Sequence, residues 1–213
     1  MRFKRFLLLI LCISLIFSCK KDKNPISANI RHMSFPMKTG STWQYEIIDT
    51  TFYTFFKDSM RINNGILKVK ILNSIVLGNG KKALIWQYNF LNTLDSLYVL
   101  SSGDSIIFYQ NKKYPDPKII LIFPLIVNNE WQFIECDKYK VLSKDTLSLP
   151  IGKITDVVKV QQNYTCEIEA GLVNNYYIKP NVGIVKYYSN YFNAHYFLSE
   201  REKWILKSYS IKE

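Results

Sequence analysis

Histidine is nearly missing from this chain: 213 residues hold two, His32 and His195, far apart in sequence. With no Cys-x-x-Cys pair and no His-Glu-x-x-His run, the ligand spacings of a metal centre are not written here, so no metal or cofactor is expected. A Gly-rich phosphate loop and a Gly-x-Ser-x-Gly elbow are lacking too, and no set of acid, base and nucleophile converges. No catalytic residue is therefore named, and the chain is read as non-enzymatic. Arginine is scarce, five against 23 lysines, and the lysines are spread out without a long basic run. Long apolar runs are lacking except for a mostly apolar one from Phe6 to Phe17, too short to span a bilayer as a mature helix.

That run follows Arg2, Lys4 and Arg5 and leads into Ser18-Cys19-Lys20-Lys21-Asp22-Lys23, the layout of an export signal. In the lipoprotein form, cleavage precedes Cys19, whose thiol then carries the acyl chains. An ordinary secretory peptide with an incidental cysteine is the other reading. The charged stretch starting straight after Cys19 favours lipidation. Residues 1–18 are then the signal peptide, 19–33 a lipidated cysteine with a polar tether, and 34–213 a single β domain. Past the signal, 25 basic residues face 17 acidic ones. Such an excess suits anionic surfaces, but dispersed lysine also fits a lysine-rich composition alone. An exported domain meets little nucleic acid, and none is expected as partner.

Cys12 lies in the signal, which leaves Cys136 and Cys166 in the folded body. In an oxidising envelope they can form a disulfide; as neighbours in strands they can equally remain buried thiols.

The body reads as strands. Asn64-Gly65 sits between two alternating runs and predicts a tight hairpin, as does Gly78-Asn79-Gly80. Ser102-Gly103-Asp104, Pro150-Ile151-Gly152 and Pro180-Asn181-Val182-Gly183 mark further turns. Helical periodicity is almost absent. Ser199-Glu200-Arg201-Glu202 fits a capping box, yet Trp204 to Ile211 alternates as a last strand. The expected fold is all-β, an antiparallel meander forming a sandwich or an open, curved barrel.

Phe35-Pro36-Met37 with Trp43-Gln44-Tyr45 returns, 88 residues later, as Phe123-Pro124-Leu125 with Trp131-Gln132-Phe133. Two related halves, 34–122 and 123–213, would explain the echo; one strand-opening device used twice would too.

Ser105 to Tyr109, Ile119 to Phe123 and the Tyr187-Tyr188 region are apolar without clean alternation, so something covers their second face: another sheet, or a bound apolar ligand. Glu167 and Glu169 share a strand face and could meet a sugar or cation, though such a pair also suits a solvated edge. Five of the nine aspartates precede a hydroxyl residue and then an apolar residue or threonine, giving Thr50, Ser59, Ser96, Ser105 and Thr146 as candidate acceptors. The pattern resembles the three-residue O-glycosylation signal of exported proteins in the Bacteroidota; it also suits the turn before a strand.

The stretches Phe35 to Tyr45, Pro150 to Lys153 and Tyr176 to Lys186, together with the signal, resemble motifs of uncharacterised envelope lipoproteins from Bacteroidota. The resemblance implies a lipid-anchored envelope protein of mostly antiparallel β architecture and carries over no catalytic residue. Since Asp22 is the tether's only acid, the inner face of the outer membrane, towards the periplasm, is the expected location. Three functions remain in order: a binding module for a protein or glycan partner, a carrier or sensor of an apolar ligand in a curved sheet, and an enzyme.

Overall fold

Apolar residues at every second position let each long strand bury one face, and the strands join into a single antiparallel sheet. The computed structural model describes residues 35–53, 59–167, 170–194 and 198–212, side chains of 53, 166 and 167 aside. Six strands make a first meander: β1 (Thr42–Tyr53), β2 (Ser59–Val76), β3 (Lys82–Phe90), β4 (Thr93–Ser102), β5 (Ser105–Tyr109) and β6 (Pro117–Ile122). Six make a second: β7 (Glu130–Ile134), β8 (Asp137–Leu149), β9 (Gly152–Glu167), β10 (Ala170–Lys179), β11 (Gly183–Asn193) and β12 (Leu198–Ser210). β12 lies beside β1, so the order is β6-β5-β4-β3-β2-β1-β12-β11-β10-β9-β8-β7. The sheet curls into a nearly closed barrel whose edges are β6 and β7, and no helix occurs among the described residues.

Side chains seal the seam between those edges. The Trp131 indole donates to the Ile120 carbonyl (2.9 Å), the Ile120 amide donates to the Tyr139 hydroxyl (3.4 Å), and the Gln162 amide donates to the Lys118 carbonyl (3.3 Å). Backbone groups that a neighbouring strand would satisfy are thus partly satisfied by side chains, which also blunts the edge.

The interior is layered. At the end where β1 begins, Trp43 lies against Trp86 (5.1 Å between ring centres), and Phe35 covers Trp86 (5.6 Å) and meets Phe108 edge-on (5.8 Å). Phe123 and Leu125 join the same cluster, so both Phe-Pro segments plug this end. Pro36 rests on Gly183, where φ is +92° and an added Cβ would lie 3.3 Å from the ring. Lysines occupy the outer face, two of them, Lys159 and Lys186, over the Tyr177 ring (5.7 and 4.7 Å).

The 88-residue echo persists in the backbone. Gly40 donates to Ile71, Ile71 to Ser41 and Ser41 to Lys38; correspondingly, Asn128 donates to Val141, Val141 to Asn129 and Asn129 to Ile126. Asn128 even adopts Gly40's left-handed conformation (φ +74° against +89°), which asparagine tolerates better than other side chains.

Some expectations are corrected. Asn64-Gly65 makes no turn: both lie inside β2, opposite Ile48 and Ile47. The missing side chain at Gly65 instead makes room for the Phe90 ring, which a Cβ would approach to 3.1 Å. The hairpin after β3 turns at Leu91-Asn92, both at positive φ without glycine. The second face of β5 is covered by the chain's own side chains and not by a second sheet. Ile107 and Tyr109 pack with Leu77, Ala83, Tyr98 and Leu100, and the chain beyond β5 folds back to that cluster, its Lys112 carbonyl accepting from Gly78.

Candidate functional site

Moving along the barrel from the Phe-Pro plug, each long strand changes character at the same level. Inward residues run Val160 then Gln162 on β9, Tyr176 then Asn174 on β10, Tyr187 then Ser189 on β11, Trp204 then Glu202 on β12, and Ile47 then Asp49 on β1. Strand register pairs these polar residues directly, so Tyr139, Gln162, Asn174, Ser189, Glu202, Asp49 and Asn63 form one row around seven strands.

Above this row, beside the sealed seam, lies a half-open cavity of about 440 Å³. Its polar wall is Asp137, Gln162, Asn174, Tyr176 and Tyr187; Ile119, Ile134, Tyr164 and Leu172 supply apolar and aromatic surface. The polar groups form one directed network. Tyr187 donates to the Asn174 side-chain oxygen (2.9 Å); Asn174 and Tyr176 both donate to Gln162 Oε1 (2.9 and 2.8 Å). Gln162 Nε2 donates to one oxygen of Asp137 (2.9 Å) and Tyr139 to the other (3.0 Å). Burial pushes the Tyr139, Tyr176 and Tyr187 hydroxyls well above the usual tyrosine range, so they stay protonated and serve as donors. Asp137, only 6% exposed, has no ion pair with any lysine or arginine among the described residues.

Glu202 extends the polar row and accepts from the Trp204 indole (2.8 Å). Burial raises its pKa; that indole opposes the shift, while Asp49 and Glu200 add to it. A carboxyl whose pKa rises on folding stabilises the fold fully below its unfolded pKa and loses that contribution as pH climbs through the folded value. Glu202→Gln, which keeps an acceptor for Trp204, is expected to melt higher than the parent near neutral pH and equally below about pH 4. Thermal melts at the two pH values check this.

The residues singled out from sequence distribute differently. Cys136 is disulfide-bonded and directly precedes Asp137, at the cavity. Its carbonyl accepts from the amide of Thr165 (3.1 Å), the residue directly before Cys166, whose side chain lies outside the described ones. Cys19, His32, His195 and Glu169 are outside the described residues, as is the side chain of Glu167. Among the candidate glycan acceptors, Ser59 opens β2 and Ser105 opens β5, whereas Thr50, Ser96 and Thr146 lie within strands; none is buried. They do not converge on the cavity. Its residues went unread in the sequence because they come from different strands; the apolar-to-polar change halfway along each long strand is the signal that marks them.

Compared with protein-family models, curated proteins and solved structures, the chain matches none.

Proposed function

We propose that this chain is an exported, lipid-anchored envelope protein, acylated at Cys19 and facing the periplasm, that acts as a non-enzymatic binding module. The observation that carries the binding reading is the cavity: a half-open space of about 440 Å³ walled by a buried, directed polar network. Small-ligand sites combine this size, within about 300–1,000 Å³, with a few convergent polar groups on a rigid frame. The ligand reaches the cavity beside the seam. At the same time the outside offers a face for a protein partner. Phe192, Ser199, Phe52 and Met60 follow one another across β11, β12, β1 and β2, with Phe192 and Met60 51% and 55% exposed.

The carrier of an apolar ligand is the second reading, and Ile119, Ile134 and Leu172 on the cavity wall speak for it. Against it, the greasy half of the barrel is already filled by Phe35, Trp43, Trp86 and Phe108. Saturation-transfer NMR on the full chain, with a mixture of amines, sugars and a single-chain amphiphile, tests the proposal. Signals from amines or sugars are expected, and Leu172→Trp, which fills the cavity, should abolish them. Signals unchanged in that variant would place binding elsewhere, and signals from the amphiphile alone would favour the carrier.

A further inference from the structure

Building on the binding reading, we infer that the cavity is a site for an organic cation, a small ligand carrying an ammonium or guanidinium group on a short apolar stem. The direction of the hydrogen bonds leads there. Every donor of the network points towards Asp137: Tyr187 to Asn174, Asn174 and Tyr176 to Gln162, Gln162 and Tyr139 to the carboxylate. Gln162 spends its second amide hydrogen on the Lys118 carbonyl. The Lys118 carbonyl is also approached by the Tyr139 hydroxyl (3.5 Å), whose oxygen accepts from Ile120, so the spare capacity is mostly lone pairs on the Asp137 carboxylate. The remaining donors are few, an Asn174 amide hydrogen beside Tyr176 and the Tyr164 hydroxyl. A ligand that completes such a wall must bring donors.

Charge narrows the class further. Asp137 is a buried carboxylate held by neutral donors, and no described lysine or arginine forms an ion pair with it; Lys118, on the same wall, meets the network through its backbone carbonyl. A buried charge is costly until an opposite charge meets it, so a cationic ligand gains where a neutral polyol does not. Asp116, on the same wall, adds a second acid. Tyr176 and Tyr187 pack on one another (5.3 Å between ring centres), which leaves Tyr164 as the aromatic side chain on the wall for a cation to meet. Ile119, Ile134 and Leu172 then suit a few methylenes. The basic excess of the whole chain makes a buried aspartate with no described ion pair a local exception rather than a reflection of composition.

The test is a calorimetric titration of the full chain with agmatine, which carries both cationic groups on a four-carbon stem, beside the neutral probes 1,4-butanediol and maltose. Agmatine is expected to bind and both neutral probes to fail. Asp137→Asn should weaken agmatine at least about tenfold, as loss of one partner of a buried charge pair does. If that variant does not fold, Tyr164→Leu carries the test, with a loss of several fold expected. Agmatine bound equally by the parent and by Asp137→Asn, or by Tyr164→Leu in its place, overturns the inference. Maltose binding that Leu172→Trp abolishes, with agmatine inert, overturns the cation and keeps the cavity as a binding site. No probe binding, with saturation-transfer signals unaffected by Leu172→Trp, removes both.

Discussion

Trp43→Ala is expected to lower the unfolding free energy by about 4 kcal/mol, the usual cost of emptying a buried tryptophan site. Trp43 is 1% exposed, packs on Trp86 and donates to the Val182 carbonyl at 2.7 Å, tying the start of β1 to the turn before β11. Its counterpart 88 residues later, Trp131, is half-buried, stacks on Tyr139 (5.3 Å) and donates to Ile120 across the seam. Trp131→Ala should cost about 2 kcal/mol, since less apolar surface returns to water and solvent can re-satisfy Ile120. Urea unfolding of both variants measures the difference. Equal losses would mean that the seam is as firmly closed as the core, and the barrel would then offer no weak wall beside the cavity.

Gln162→Leu is the second large effect. The side chain accepts from Asn174 and Tyr176 and donates to Asp137 and Lys118, so a leucine of similar bulk leaves several buried groups without partners. At about 1–3 kcal/mol for each orphaned group, a total loss of about 3 kcal/mol is expected, partly offset where water enters the half-open cavity. Tyr176→Phe removes one donor and keeps the ring, so it should cost about 1 kcal/mol. In the double variant the Tyr176 term should vanish, because its acceptor has already gone. Additive losses would show that the two side chains do not share one network.

What the sequence disclosed and what it hid follow from the range of the interactions involved. Strand character, four of the five glycine-marked turns and the Phe-Pro echo are local properties, decided by alternation and by residues that tolerate positive φ. Asn64-Gly65 misled because a glycine can serve a turn or the close approach of a ring, and only the tertiary partner, Phe90, distinguishes the two. The turn at Leu91-Asn92 carries no glycine and gave no signal. The cavity depends on register: Asp137, Gln162 and Asn174 are dispersed along the chain and meet because β8, β9 and β10 pair as they do. A one-residue slip would turn the whole row outward.

The most direct measurement is the mass of the full chain, exported in its own kind of host, taken first under native and then under denaturing conditions. The account predicts a small noncovalent mass, that of an amine-bearing ligand, present in the native species, lost on denaturation and absent from Leu172→Trp. Any covalent excess in sugar-sized steps would survive denaturation and belongs to the Asp-Ser/Thr sites instead. A native mass equal to the denatured one, in a chain that also binds no added agmatine, would contradict the cavity as a ligand site.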